Sequence, residues 1–371
     1  MRTAAAVALS SALVAWAPSA LAARTFDGAG PEAVEVRALD ASTQIVAPTA
    51  AGPFPLIVAS HGFSASGDNQ IGWARHFASW GFVVAVPSFP SPFSPNHAVN
   101  AGIVGDLVTS LTGANAAANK VKPGPFGLEG HSAGGLATAL AAAKVSPAAV
   151  VLFDPVDNAD AGKNAYASMC APVLSIFAGP SSCNNQAGWR AFASATKSEL
   201  VSFGVKGSTH CDGENAPRGL CSTFCGGAAS PVRQEAYAHY ATALFLAKLA
   251  GDARGVTALA DAAVTADTDL EGVVRAAATC TAAPGSDAGA PPPDGGTTSS
   301  SSGGSSGTTP PGATPGGSSG ADAGDPGAEG GAGDTGCGCK SAGSQRENAG
   351  LLAGLAALCA VVATGRRRRR D

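Results

Sequence analysis

Short apolar runs recur through the first three quarters of the chain, with turn-forming or helix-patterned segments between them. Leu56–Ala59 is a buried-strand run that stops at Ser60-His61-Gly62. Residues 71–80 carry helical spacing, and Gly81–Pro87 ("GFVVAVP") is the next strand. A helix over 98–111 leads to the strand Phe126–Glu129, the turn "GHSAGG" at 130–135, and a helix over 133–143. The runs 148–153, 173–177 and 200–203 are further strands, and 232–249 is a long closing helix. Strands that are apolar throughout, rather than alternating, are covered on both faces, and helices between them do the covering. The pattern predicts an α/β domain with a mostly parallel central sheet and helices on both faces.

The pattern fails at both ends. Residues 4–17 are apolar after Met1-Arg2 and precede Pro18 and the triplet Ala20-Leu21-Ala22, which reads as a cleavable export signal cut after Ala22 or Ala23. From 282 to 336 the chain is Gly, Ser, Thr, Pro and Asp without apolar periodicity, a composition that cannot offset its own ordering entropy and serves as a tether. Beyond it come Cys337 and Cys339, a polar spacer, an apolar stretch over 349–365 and the arginines 366–370. That stretch reaches the lower limit for a membrane span, with the arginines holding its end on the cytoplasmic side. The order of cysteine motif, short apolar helix and terminal arginines resembles the MYXO-CTERM type of sorting signal, which implies processing near Cys337 or Cys339 and surface display. An uncut anchor gives a similar placement, so the product is expected at the cell surface, outer-membrane-associated or secreted. The catalytic-size segment is 24–281, preceded by the signal 1–23 and followed by the linker 282–336 and the sorting segment 337–371.

Charge and cysteine content narrow the chemistry. A formal net charge of −4, with the basic block confined to the terminus, argues against a nucleic-acid partner. Cys337, Cys339 and Cys359 belong to the tail, which leaves Cys170, Cys183, Cys211, Cys221, Cys225 and Cys280. In an exported chain these read as up to three disulfides of open connectivity. Zinc is the competing reading, because Cys211, Cys221 and Cys225 cluster beside His210 and Asp212, but the spacing fits no standard finger.

Ligands of such sheets sit at the carboxyl ends of the strands. A chain with 49 glycines generates G-x-S-x-G cheaply, so the flanks decide its meaning. A strand before and a helix after make Ser132 the residue of a nucleophile elbow, with Gly130 and Gly134 removing side chains that would collide. Serine needs a base, and among His61, His76, His97, His131, His210 and His239 only the last two follow it in the order Ser, acid, His. His210 lies in the loop "KGSTHCDGEN" at the catalytic edge, whereas His239 sits inside a helix, so His210 is the expected base. The loop after 177 holds no carboxylate before Glu199. Asp154, the first polar residue after the preceding strand, is therefore the expected acid, with Asp157 in reserve. The expected oxyanion donors are the backbone N–H groups of Ala133 and Phe63.

The segments "HGF" at 61–63, "HFASWGFVVAVPSF" at 76–89, "GHSAGG" and "DPVD" at 154–157 together resemble chlorophyllases and related α/β-hydrolases, from about Leu56 to His210. The resemblance implies the α/β-hydrolase fold and Ser132, Asp154 and His210 as a triad. Platelet-activating-factor acetylhydrolases are similar in the placement of the acid, and polyester hydrolases in the segment around Phe63. Chlorophyllases usually carry Arg after the serine, where this chain has Ala133, which argues against chlorophyll as substrate. The expectation is an exported serine esterase acting on a small-molecule or polymeric ester without cofactor or metal, its oligomeric state open. The alternative is a surface-displayed binding module that keeps the fold without catalysis.

Overall fold

The computed structural model describes residues 24–216 and 220–280. The expected signal segment 1–23, the linker 282–336, the sorting segment 337–371 and its cysteines lie outside the described residues. Every described residue belongs to one compact unit. Among the described residues no helix is long and apolar enough to cross a membrane.

Among the described residues nine strands form one sheet: β1 (Val34–Ala38), β2 (Thr43–Pro48), β3 (Leu56–Ser60), β4 (Val83–Pro87), β5 (Gly127–His131), β6 (Ala149–Phe153), β7 (Val173–Phe177), β8 (Leu200–Val205) and β9 (Leu270–Ala276). Their spatial order is β1-β2-β4-β3-β5-β6-β7-β8-β9. From β4 to β8 all neighbours are parallel. β1, β2 and β9 are antiparallel additions at the two edges. The apolar-run reading finds the parallel strands because each is buried along its whole length. It misses β1, β2 and β9: the edge position of β1 and β9 leaves side chains in water and so permits Glu35, Arg37, Glu271 and Arg275, and β2, though buried, offers only the short run Ile45-Val46-Ala47 after Thr43 and Gln44.

Helices α1 (Ile71–Ser79), α2 (His97–Thr112), α3 (Ala133–Val145), α4 (Ala161–Ser168), α5 (Leu220–Cys225) and α6 (Pro231–Phe245) alternate with or follow the strands. Local chemistry sets their starts. The Asn96 side chain accepts the Val99 N–H at 3.1 Å to open α2, and Pro231 occupies the first turn of α6, where its missing donor costs nothing. The helix expected to run to 249 is α-helical only to Phe245 and then widens into a π-helical segment, Leu246–Ala250.

Each face of the sheet is sealed by its own apolar cluster. Trp73, Phe77, Phe153, Tyr237 and Phe245 fill the space beneath α1 and α6. Leu107, Leu128, Leu136, Leu152 and Tyr166 fill the space beneath α2, α3 and α4. Each such side chain, fully buried, is worth about 1.5–3 kcal/mol of transfer free energy. The rigid layer so formed fixes the strand ends at which the polar residues converge.

Candidate active site

Ser132 joins β5 to α3. Its backbone lies at φ 55° and ψ −122°, a conformation that costs a non-glycine residue on the order of 1–3 kcal/mol and persists only where the surroundings enforce it. Two features enforce it. The Ser132 N–H donates to Phe153 C=O at 3.1 Å, and its own C=O accepts from Val156 and Leu136 N–H, both at 3.2 Å. The glycines on either side are obligatory by packing. A Cβ at Gly130 would lie 2.3 Å from Thr138 Oγ1, and one at Gly134 would lie 2.4 Å from the carbonyl oxygens of Ser60 and His61.

Three side chains meet above this turn. Ser132 Oγ lies 2.9 Å from His210 Nε2, and His210 Nδ1 lies 2.6 Å from Asp154 Oδ2. A carboxylate can only accept, so Nδ1 carries the imidazole proton and Nε2 is left bare to accept from the Ser132 hydroxyl. All three residues are buried. Asp154 comes from the turn after β6, at φ 41°, and His210 from the short helical turn after β8. The sheet thus delivers to one place residues separated by 22 and 56 positions, the second distance being a direct contact.

Asp154 is held as an acceptor on both oxygens. Ala178 N–H donates to Oδ1 at 3.1 Å, and Asn184 Nδ2 donates to Oδ2 at 3.0 Å. Asn184 also accepts from the N–H groups of Ser181 and Ala187, so one amide organises the loop that follows β7. Sequence reasoning found that this loop lacks a carboxylate but gave Asn184 no role. Asp157, the reserve acid, is engaged elsewhere. Its carboxylate accepts N–H bonds from Asn158, Gly162 and Lys163 and so fixes the start of α4.

The remaining histidines divide by position. His131 Nε2–H donates to the His210 carbonyl at 2.9 Å, and the two rings lie 4.7 Å apart, so the residue beside the serine also anchors the His210 loop. Burial, with His210 and His61 nearby, keeps its pKa well below the ordinary imidazole value. His61 Nε2 accepts the Phe89 N–H at 2.8 Å, which leaves Nδ1–H to donate to Gly62 C=O at 2.8 Å. It therefore pins the loop after β3 to the end of β4. That loop runs against the serine, since a Cβ at Gly62 would lie 3.0 Å from Ser132 Cβ. The next residue is Phe63, one expected oxyanion donor; the other, Ala133, is the first residue of α3, where an N–H has no partner within the helix. His239 accepts the Phe26 N–H, and His76 pairs with Thr242 Oγ1. Burial lowers both to a pKa of about 4, and neither belongs to the site.

The six cysteines form three bridges, Cys170–Cys280, Cys183–Cys225 and Cys211–Cys221. The sulfurs of Cys211, Cys221 and Cys225 lie within 4.8 Å of one another because two bridges are neighbours. The groups weighed for zinc are otherwise committed: Asp212 accepts from Thr209 N–H, Ser230 N–H and Arg233 Nε, all at 2.7 Å, tying the His210 turn to α6. The two neighbouring bridges clamp α5 between the loop of Asn184 and the residue after His210.

Residues 31–186 match the chlorophyllase family. The match includes Ser132 and Asp154 and ends before His210. A comparison with curated proteins finds no match.

Proposed function

We propose that the domain, whose residues 31–186 match the chlorophyllase family, is a serine esterase that cleaves carboxylic esters through an acyl-enzyme. The observation that carries this reading is the continuous hydrogen-bonded row Ser132–His210–Asp154 at the carboxyl ends of β5, β6 and β8. In the first step His210 Nε2 takes the Ser132 proton as Oγ attacks the ester carbonyl. Asp154 accepts from Nδ1–H throughout and stabilises the imidazolium. The backbone N–H groups of Ala133 and Phe63 hold the oxyanion, aided by the positive end of α3. His210 then gives its proton to the departing alcohol. Water, deprotonated by the same nitrogen, attacks the acyl-enzyme and releases the acid. No step calls for a cofactor. Three disulfides suit an oxidising compartment and support the reading of 1–23 as an export signal.

The test is Ser132→Ala assayed with p-nitrophenyl acetate. The variant is expected to keep the wild-type circular dichroism spectrum and to lose at least a thousandfold in kcat, in line with the loss of a triad member. Wild-type turnover by a folded Ser132→Ala enzyme would rule the mechanism out, and a wild-type protein inert to esters would favour the binding-module alternative.

A further inference from the structure

The two loops beside Ser132 on the β3–β4 side hold aromatic rings out in water. Phe63 is 44% exposed and Phe93 63%. Their rings meet edge to face, with centroids 6.2 Å apart and planes at 89°. The backbone beneath them is fastened: Ser64 N–H donates to Pro92 C=O at 2.8 Å, and His61 bridges Gly62 to Phe89. Neither ring belongs to a buried cluster of the core. The fold therefore keeps two large apolar side chains exposed, on a braced base, immediately beyond the glycine that packs against the serine.

The electrostatics of the rim point the same way. Residues 61–66 ("HGFSAS") and 88–96 ("SFPSPFSPN") contain no Asp, Glu, Lys or Arg, and neither does 178–187 on the Asp154 side. A charged substituent brought against this rim would shed water without meeting a counter-charge. A neutral ring would cover apolar area and find the face of one ring and the edge of the other, the arrangement that the aromatic quadrupole favours.

We propose that Phe63 and Phe93 form an aromatic-binding subsite, and that the substrate is a neutral ester with an aromatic ring close to its scissile carbonyl. The proposal rests on the esterase reading above and narrows it. The closeness follows from Phe63 itself, whose backbone N–H faces the carbonyl oxygen in that reading while its ring belongs to the subsite.

Phe93 is the residue to test, because it takes no part in the proposed chemistry. Wild type, Phe93→Ala and Phe93→Trp are compared in a pH-stat on ethyl acetate, ethyl cyclohexanecarboxylate, ethyl benzoate and benzyl acetate. Phe93→Ala is expected to raise KM roughly 3- to 10-fold for at least one of the two aromatic esters, the size of one lost ring–ring contact. Its kcat/KM for ethyl acetate stays within about twofold, and Phe93→Trp restores the aromatic preference. An equal loss on the cyclohexyl ester, an equal loss on ethyl acetate, or no loss at all overturns the subsite. So does unchanged selectivity with loss of a dimer in size-exclusion chromatography, which would put a second copy of this chain on the rings. A wild-type protein that hydrolyses none of the esters and takes no phosphonate at Ser132 instead fails the esterase reading. An enzyme that labels and turns over ethyl acetate but ignores Phe93 fails the subsite alone.

Discussion

At the scale of single residues, the account turns on which carboxylate orients His210. Asp154 reaches Nδ1, and Asp157 spends its oxygens on the backbone of α4. Asp154→Asn should therefore lower kcat by ~10⁴, the size seen when a triad imidazole is left in the wrong tautomer. Asp157→Asn should cost less than tenfold in kcat and show mainly as a lower melting temperature; stopped kinetics on both variants decide it. The contact of Asp154 with His210 was legible because the loop after β7 offers no competing carboxylate. Asn184 was not, since an amide that orients a carboxylate looks in sequence like any loop asparagine. Glu129, three residues before the serine, poses a separate problem. It is fully buried, and among the described residues neither oxygen has a hydrogen-bond partner. Burial raises its pKa well above the usual carboxylate value, so the native state keeps it protonated while the unfolded chain ionises it. Glu129→Gln should accordingly stabilise the protein, with the gain growing by up to about 1.4 kcal/mol per pH unit above 4.5. Denaturant titrations of both proteins at pH 5 and 8 check this; a gain that does not grow with pH would show Glu129 to be ionised in the fold.

Among elements, stability and site geometry are assigned to different bridges. Cys170–Cys280 closes 110 residues and joins the loop after α4 to the segment four residues past β9. Cys211–Cys221 closes only 10 residues but fixes the residue directly after His210. In the chain-entropy account a loop of about 100 residues contributes about 4.7 kcal/mol and one of about 15 residues about 3. Replacing the first pair by serine should thus lower the melting temperature more, with kcat nearly unchanged at a temperature where the variant is folded. Replacing Cys211 and Cys221 should lower kcat more than it lowers stability. The reverse ranking would contradict the division. The same contrast separates what periodicity could find. β3 to β8 and helices α1, α2, α3 and α6 announce themselves in apolar runs and helical spacing; α4, with only Gly162, Ala165 and Tyr166 buried, does not. β1 and β9 do not, because an edge strand is only half a core element, and their position emerges from antiparallel pairing with β2 and β8. The pairing of six cysteines could not be read at all, since it depends on where the sheet brings the loops.

For the whole molecule, burial sets a pH dependence. His61, His76, His131 and His239 all have depressed pKa values, to about 4 for His76 and His239. As pH falls below 6.5 the unfolded chain takes up protons that the native state refuses, so stability present at neutral pH is lost through the window down to about 4. Glu129 and Glu214, raised by burial, work in the opposite sense above 4.5 but are fewer. In Glu129→Gln, which lacks one of the opposing carboxyls, the melting temperature should fall from pH 7 to 4.5 more steeply than in wild type; a profile that rises in Glu129→Gln would contradict neutral imidazoles in the fold. The central claim, that this whole arrangement exists to make Ser132 nucleophilic, is tested most directly by one labelling measurement. The protein is treated with a fluorophosphonate, digested and mapped by mass spectrometry, beside a His210→Ala control. The account predicts a single adduct on Ser132 of the wild type and at least a hundredfold slower labelling without His210, because the bare Nε2 is what accepts the serine proton. An adduct on another serine, or labelling of Ser132 at the same rate in His210→Ala, would contradict it.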